Sequence, residues 1–153
     1  MKWVKQSIHY WCPDTKEQKF LGQNVTVAIL DTGISPHPDF KGRILSFRDF
    51  SNTTGSSEKV LFSFSHSSPP IDNSGHGTHV AGILAGSGLL SSGTYAGIAP
   101  FCNLIIGKVL DQNGNGSIKN VINGIQWIRD IYTQFHIRII NISVGTRPDL
   151  SIH

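Results

Sequence analysis

Only two cysteines, Cys12 and Cys102, occur in 153 residues. That excludes a disulfide-dense secreted scaffold, and a pair this far apart reads as two free thiols or as one bridge. Charged residues are scarce at 15%, and the formal charge of +3 is scattered along the chain. Without a basic cluster interleaved with aromatics, the footprint of a nucleic-acid binder is missing. No apolar run approaches the length of a membrane span. Met1 to Phe20 carries Lys2, Lys5, Asp14, Lys16, Glu17 and Lys19, so no apolar signal core begins at Met1. These absences predict a globular protein that engages neither nucleic acid nor membrane, in a reducing, cytoplasmic setting. An extracellular setting would need a start upstream of Met1. There is no internal repeat, and no glycine-rich loop follows the first apolar run. Asp31-Thr32-Gly33-Ile34-Ser35-Pro36 cannot cradle a phosphate, which removes a nucleotide-binding α/β domain from consideration.

What is present is an ordinary globular composition, 39% hydrophobic, in a chain long enough for one domain with a core. Residues 1–24 read as an irregular lead-in with apolar anchors at Trp3, Val4 and Trp11. Val25 to Leu30 is short, apolar and rich in β-branched residues, the pattern of a buried parallel strand. Residues 51–75 are rich in Ser, Asn, Gly and Pro and predict a long surface loop, with one short strand at Val60 to Phe64. Thr78 to Ala85 predicts a helix of small residues that can approach a sheet closely. Asn103 to Leu110 is a second strand. After a turn at residues 111–116, Ser117 is a candidate N-cap. Ile118, Val121, Ile122, Ile125, Ile128 and Ile131 then recur at helical spacing. Ile137 to Val144 is a third strand, apolar on nearly every residue, which implies cover on both faces. Strand alternating with helix predicts an α/β fold of three layers, a mostly parallel sheet with helices on both faces.

Two motifs carry chemistry. Asp31 ends the first strand, and open α/β sheets place their active sites at that edge. Such a carboxylate is partly buried and needs a strong donor; the alternative is a turn aspartate capping the next segment. His76 lies between Gly75 and Gly77 at the start of a helix. The positive helix terminus opposes protonation of the ring. A carboxylate beyond the ring opposes that effect and fixes the tautomer. A general base needs this balance. His79 sits one turn on. A His-x-x-His pair can hold a metal, but no third ligand accompanies it, so His79 reads as a half-buried histidine under the first turn.

These residues resemble the N-terminal half of the catalytic domain of the subtilisin-like serine proteases, the subtilase family. Asp31-Thr32-Gly33-Ile34 is similar to the family's aspartate motif. The stretch from Asn73 through His76-Gly77-Thr78-His79 to Gly82 is similar to its histidine motif. Gly97-Ile98-Ala99-Pro100, Lys108-Val109-Leu110-Asp111 and Asn141-Ile142-Ser143-Val144-Gly145 follow in the same order, and the likeness runs from about Val25 to Thr146. It implies a subtilisin-like α/β fold, with residues 25–153 forming the N-terminal part of the catalytic domain. It implies peptide-bond hydrolysis by an Asp-His-Ser triad, with Asp31 orienting His76 and His76 moving the serine proton. The polypeptide substrate would lie extended between Gly114-Asn115-Gly116 and Ser143-Val144-Gly145. Both segments have small residues that leave backbone groups reachable, although Gly114 to Gly116 also reads as a plain strand-to-helix turn.

The departures are specific. No Gly-Thr-Ser-x-Ala nucleophile motif occurs in the 153 residues, and neither does the family's oxyanion asparagine. Ser74, Ser87 and Ser117 lack the strained turn a nucleophile needs, and Ser143 corresponds to a substrate-lining position. Asp39 resembles a family calcium ligand, but residues 87–95 do not resemble the loop that would complete the site. No cofactor is therefore expected, with calcium left open at Asp39. The resemblance also implies a further strand beside residues 137–144; without it, that edge is expected to present unpaired backbone groups and apolar side chains to water. The expectation is a serine endopeptidase represented by an incomplete chain, inactive alone, whose partner would be a C-terminal subtilase half. The other reading is a non-catalytic module that binds peptides or a partner.

Overall fold

The structure is a computed structural model that describes residues 2–8, 10, 20–51 and 72–145. Helix α1 spans Lys2–Ser7, strand β1 Thr26–Asp31 and strand β2 Ile44–Asp49. Helix α2 spans His76–Ala85, strand β3 Asn103–Lys108, helix α3 Ile118–Ile131 and strand β4 Ile137–Ile142. The four strands form one sheet in the order β2-β3-β1-β4, with every pairing parallel. The expected strand at Val60 to Phe64 and the anchor Trp11 lie outside the described residues.

β1 is central and buried along its whole length. Its side chains alternate between faces, as a pleated strand requires. Val27 and Ile29 join Leu104, Ile106, Phe47, Ala81 and Ala85 on the α2 side. Ala28 and Leu30 join Ile105, Trp127 and Ile128 on the α3 side. Helices thus cover both faces, the expected three layers. Burying each Ile or Leu side chain contributes about 1.5–3 kcal/mol, so β1 anchors the fold on two fronts.

Two expectations need correction. Trp3 and Val4 do not anchor the lead-in: they lie on α1 and are 81% and 51% exposed, and Tyr10 does the anchoring by donating to the Ile98 carbonyl at 2.6 Å. β2 was not expected, because Ile44-Leu45-Ser46-Phe47-Arg48-Asp49 mixes polar and apolar residues as an edge strand does. β4 was expected to present an open edge and apolar side chains to water, and it does. Among the described residues it is the other edge strand, and Ile139, Ile140 and Ile142 are 52%, 43% and 41% exposed. Helix α3 starts where Ser117 was placed as N-cap, its hydroxyl accepting from the Asn120 N–H. Its buried residues are Asn120, Gly124, Trp127 and Ile128, while Ile118, Ile122 and Ile125 are exposed. Cys102 is buried and free, and burial pushes its thiol up; Cys12 lies outside the described residues.

Candidate active site

Parallel pairing puts the carboxyl ends of all four strands on one edge. There Asp31 is level with Lys108, and Leu30 is level with Ile142. The residues that follow, 32–35, 109–117 and 143–145, line this edge. The Asp31 carbonyl accepts from the Val109 N–H at 2.9 Å, tying the segment after β3 to the end of β1. The Lys108 ammonium donates to the Thr32 carbonyl.

Helix α2 begins at His76 and delivers it to this edge. Its N-cap, Gly75, has φ +84°, a left-handed conformation that a residue with a Cβ adopts only under strain. Gly77 allows the helix to touch the Asp31 strand: a Cβ there would lie 2.2 Å from the Gly33 carbonyl oxygen. The result is direct contact. His76 Nδ1 lies 2.7 Å from Asp31 Oδ1, which also accepts from the Thr32 N–H at 2.7 Å. Asp31 is wholly buried, whereas the His76 side chain is 53% exposed. Asp31 Oδ2 is buried with no hydrogen-bond partner among the described residues.

The carboxylate outweighs the helix terminus. The hydrogen bond to Asp31, then its charge, raise the His76 pKa above the ordinary imidazole value, and the Asp72 charge adds to this. An ionised Asp31 accepts only, so Nδ1 is the protonated nitrogen. That leaves Nε2 as the nitrogen able to take or give a proton at the exposed side of the ring.

Asp72 is a residue the sequence reading passed over. It is 5% exposed and accepts five hydrogen bonds. Oδ1 takes Thr32 Oγ1 at 2.8 Å, the Gly75 N–H at 2.9 Å and the Ser74 N–H at 3.2 Å. Oδ2 takes the Thr78 N–H at 2.8 Å and Thr78 Oγ1 at 2.5 Å. Burial alone would push this carboxyl up, but the hydrogen bonds from Thr78, Gly75 and Thr32 win and hold it below the usual carboxylate range. A signal was available in Asp72-Asn73-Ser74-Gly75, an Asx-turn composition just ahead of a helix with no Ser, Thr or Asp at its N-cap.

The other candidates fall as follows. Gly114, Asn115 and Gly116 are exposed in the turn after β3, where Asp111 Oδ1 accepts from the Asn115 N–H at 2.9 Å. Ser143, Val144 and Gly145 are exposed and follow β4 along the same edge, and the Asn141 amide donates to Ser143 Oγ. His79 is exposed rather than half-buried, and lines an open cavity of about 600 Å³ with His37, Phe40, Ile83 and Tyr95. Among the described residues no three His, Cys, Asp or Glu side chains lie together to hold a metal. Calcium would need converging oxygens at Asp39. Its carboxylate instead accepts the Gly88 N–H at 2.9 Å and the Leu90 N–H at 3.3 Å, so the loop offers it donors. No helix among the described residues is long and apolar enough to cross a membrane.

Known proteins share this architecture and these motifs. The profile of the subtilase family, peptidase S8, matches residues 22–151. The serine protease AprX of Bacillus subtilis is 46% identical over 110 residues, which cover 72% of this chain and 22% of that protein. The major intracellular serine protease of the same organism is 37% identical over 131 residues, covering 84% of this chain and 36% of that one. Among solved structures, the CspB protease of Clostridium perfringens superposes with a TM-score of 0.71 at 28% identity, over 89% of this chain and 31% of that chain. The 153 residues therefore span between about a fifth and about a third of the length of these relatives.

Proposed function

The chain belongs to the subtilase family, and on that premise we propose that it supplies the aspartate and the general base of a serine endopeptidase. The observation that carries this reading is the 2.7 Å contact between buried Asp31 and half-exposed His76. His76 Nε2 takes the proton of a serine hydroxyl as that oxygen attacks the scissile carbonyl. The resulting imidazolium is stabilised by Asp31, and His76 then gives the proton to the leaving amine. Asp31 holds the Nδ1–H tautomer, so that Nε2 faces the reactants.

The peptide lies extended along the carboxyl edge of the sheet, between Gly114-Asn115-Gly116 and Ser143-Val144-Gly145. Both segments are exposed, and their lack of bulk leaves room for an extended chain and its side chains; in the 114–116 turn, Asp111 holds the Gly114 and Asn115 N–H groups and the Asn115 carbonyl, so there the pairing falls to Gly116. The serine and the oxyanion donor come from outside the 153 residues, on a C-terminal subtilase segment. The residues here have no peptidase activity by themselves. A second reading is a non-catalytic module that binds peptides at the same edge. Joining the chain to a serine-bearing subtilase segment separates the two. We expect peptide hydrolysis and stoichiometric labelling by a serine-directed phosphonate. An assembled but unlabelled and inactive protein would overturn the enzyme reading in favour of the module.

A further inference from the structure

We propose that Asp72 is a positioning residue for His76: one buried carboxylate grips both the strand end that carries Asp31 and the helix start that carries His76. The proposal rests on the reading of Asp31 and His76 as triad members and adds to it what holds them in register.

Helix α2 starts without a side chain at its N-cap to accept its free N–H groups. Two groups from elsewhere do so. Asp72 Oδ2 accepts from Thr78, and Thr32 Oγ1 accepts from the Gly77 N–H at 2.9 Å. The Thr32 hydroxyl in turn donates to Asp72 Oδ1. Thr32 is bonded to Asp31, and Gly77 to His76, so a closed ring results. It runs from Asp31 through Thr32 and Asp72 to the first turn of α2, then back from His76 Nδ1 to Asp31. Thr78 Oγ1 adds a brace by accepting from the Ser35 N–H at 2.9 Å. A carboxylate also suits this place electrostatically, because a helix N-terminus carries partial positive charge.

The ring matters because His76 has little else to hold it. Its side chain is 53% exposed, so packing leaves the ring room to rotate. Helix placement must then set the direction of its Cα–Cβ bond. A shift of about 1 Å far from the chemistry can cost roughly a hundredfold in rate. Asn at position 72 keeps the shape but turns one acceptor into an NH2 donor. Since all five partners are donors, no orientation of the amide satisfies both sides of the clasp.

The test reads the His76 ring directly in the 153-residue chain labelled with 15N-histidine, and it needs no serine. The parent should show a protonated, hydrogen-bonded Nδ1 and an unprotonated Nε2 at neutral pH. D72N and T32V should both lose this signature, with a substantial fraction of the ring in the Nε2–H tautomer. T32S keeps the hydroxyl and should retain it. Amide protection at Ala28 and Ile105 should persist in all variants. An unchanged His76 signature in both D72N and T32V overturns the proposal. Loss of Ala28 and Ile105 protection in both also overturns it, in favour of a purely structural role. A parent without the Nδ1 signature defeats the triad reading itself, and the positioning role with it. Absence of peptidase activity in the joined protein leaves these spectra standing and counts against the serine reading alone.

Discussion

β1 and β4 are neighbours, both six residues long and both rich in Ile, Leu or Val, yet one is wholly buried and the other mostly exposed. β1 lies between β3 and β4 with a helix layer on each face; among the described residues β4 has a partner on one side only. The same contrast divides the site. Asp31, Thr32 and Asp72 at the end of β1 are buried and tied together by hydrogen bonds. Ser143, Val144 and Gly145 after β4 are exposed. Apolar composition selects the strand; the number of neighbours decides what the strand can hold rigid. The Asp31–His76 contact is built where the sheet has neighbours on both sides, and residues 143–145 stand where, among the described residues, it is open.

The strongest way to break this contrast is to ask whether the finished half works alone. It should not. In subtilisin, loss of the nucleophile costs on the order of a millionfold in turnover. The 153-residue chain should therefore hydrolyse a peptide substrate about a millionfold more slowly than the joined, serine-bearing protein. Phosphonate labelling of the chain alone would refute this.

Next in size is the pair itself. In the joined protein, Asp31→Asn should lower turnover by roughly ten-thousandfold, the magnitude known for the subtilisin aspartate. The pH profile sharpens the test. Asp31 raises the His76 pKa, and a general base acts only when neutral. Activity should thus rise with pH through a midpoint above the ordinary imidazole value. Removing the Asp31 charge should move that midpoint down. For stability the sign is reversed: the protonated pair stabilises the fold at low pH, and this is lost as pH rises through the raised pKa. With His76 half exposed, water screens that contribution.

Legibility follows the same division. Asp31 and His76 stood out because a strand end and a glycine-flanked helix start each demand particular residues, and the motif order fixed their partnership. β1, β3 and helices α2 and α3 were legible from their apolar or small-residue patterning; helix α1 was not, since residues 1–24 read as an irregular lead-in. β2 was missed because an edge strand can mix Ser46 and Arg48 with Phe47. Four of the five hydrogen bonds Asp72 accepts come from Ser74, Gly75 and Thr78, within six positions, and were legible; its tie to Thr32, 40 positions away, was not. Nothing in its immediate neighbours names Thr32. The exposure of β4 was legible, because the family places a further strand beside it that these residues do not supply, and Ile139, Ile140 and Ile142 are indeed exposed.

A core comparison gives the third prediction. Ile29 is fully buried at the centre of β1, while Ile140 on β4 is 43% exposed. Ile29→Ala removes packed atoms and leaves a cavity, at a cost of about 2–5 kcal/mol. Ile140→Ala should cost less than about 1 kcal/mol, because water already reaches that side chain. Chemical denaturation of the two variants reads the difference. Equal losses would mean that β4 is covered in solution.

The smallest effect concerns the open edge. A strand with unpaired N–H and C=O groups and exposed isoleucines is a template for association. Ile139, Ile140, Ile142 and Val144 are all more than a third exposed on or just after β4. The isolated chain should therefore self-associate as its concentration rises. A lysine on an edge strand opposes such pairing at little cost, because its stem lies along the surface and its charge stays in water. Ile140→Lys should shift sedimentation toward monomer with stability changed by less than about 1 kcal/mol. Joining the serine-bearing segment should remove the association without any substitution, and make Ile140→Lys harmful, because the charge would then be buried. A lysine variant that associates as strongly as the parent would mean that the contact lies elsewhere; the exposed Ile118, Ile122 and Ile125 face of α3 is then the place to substitute.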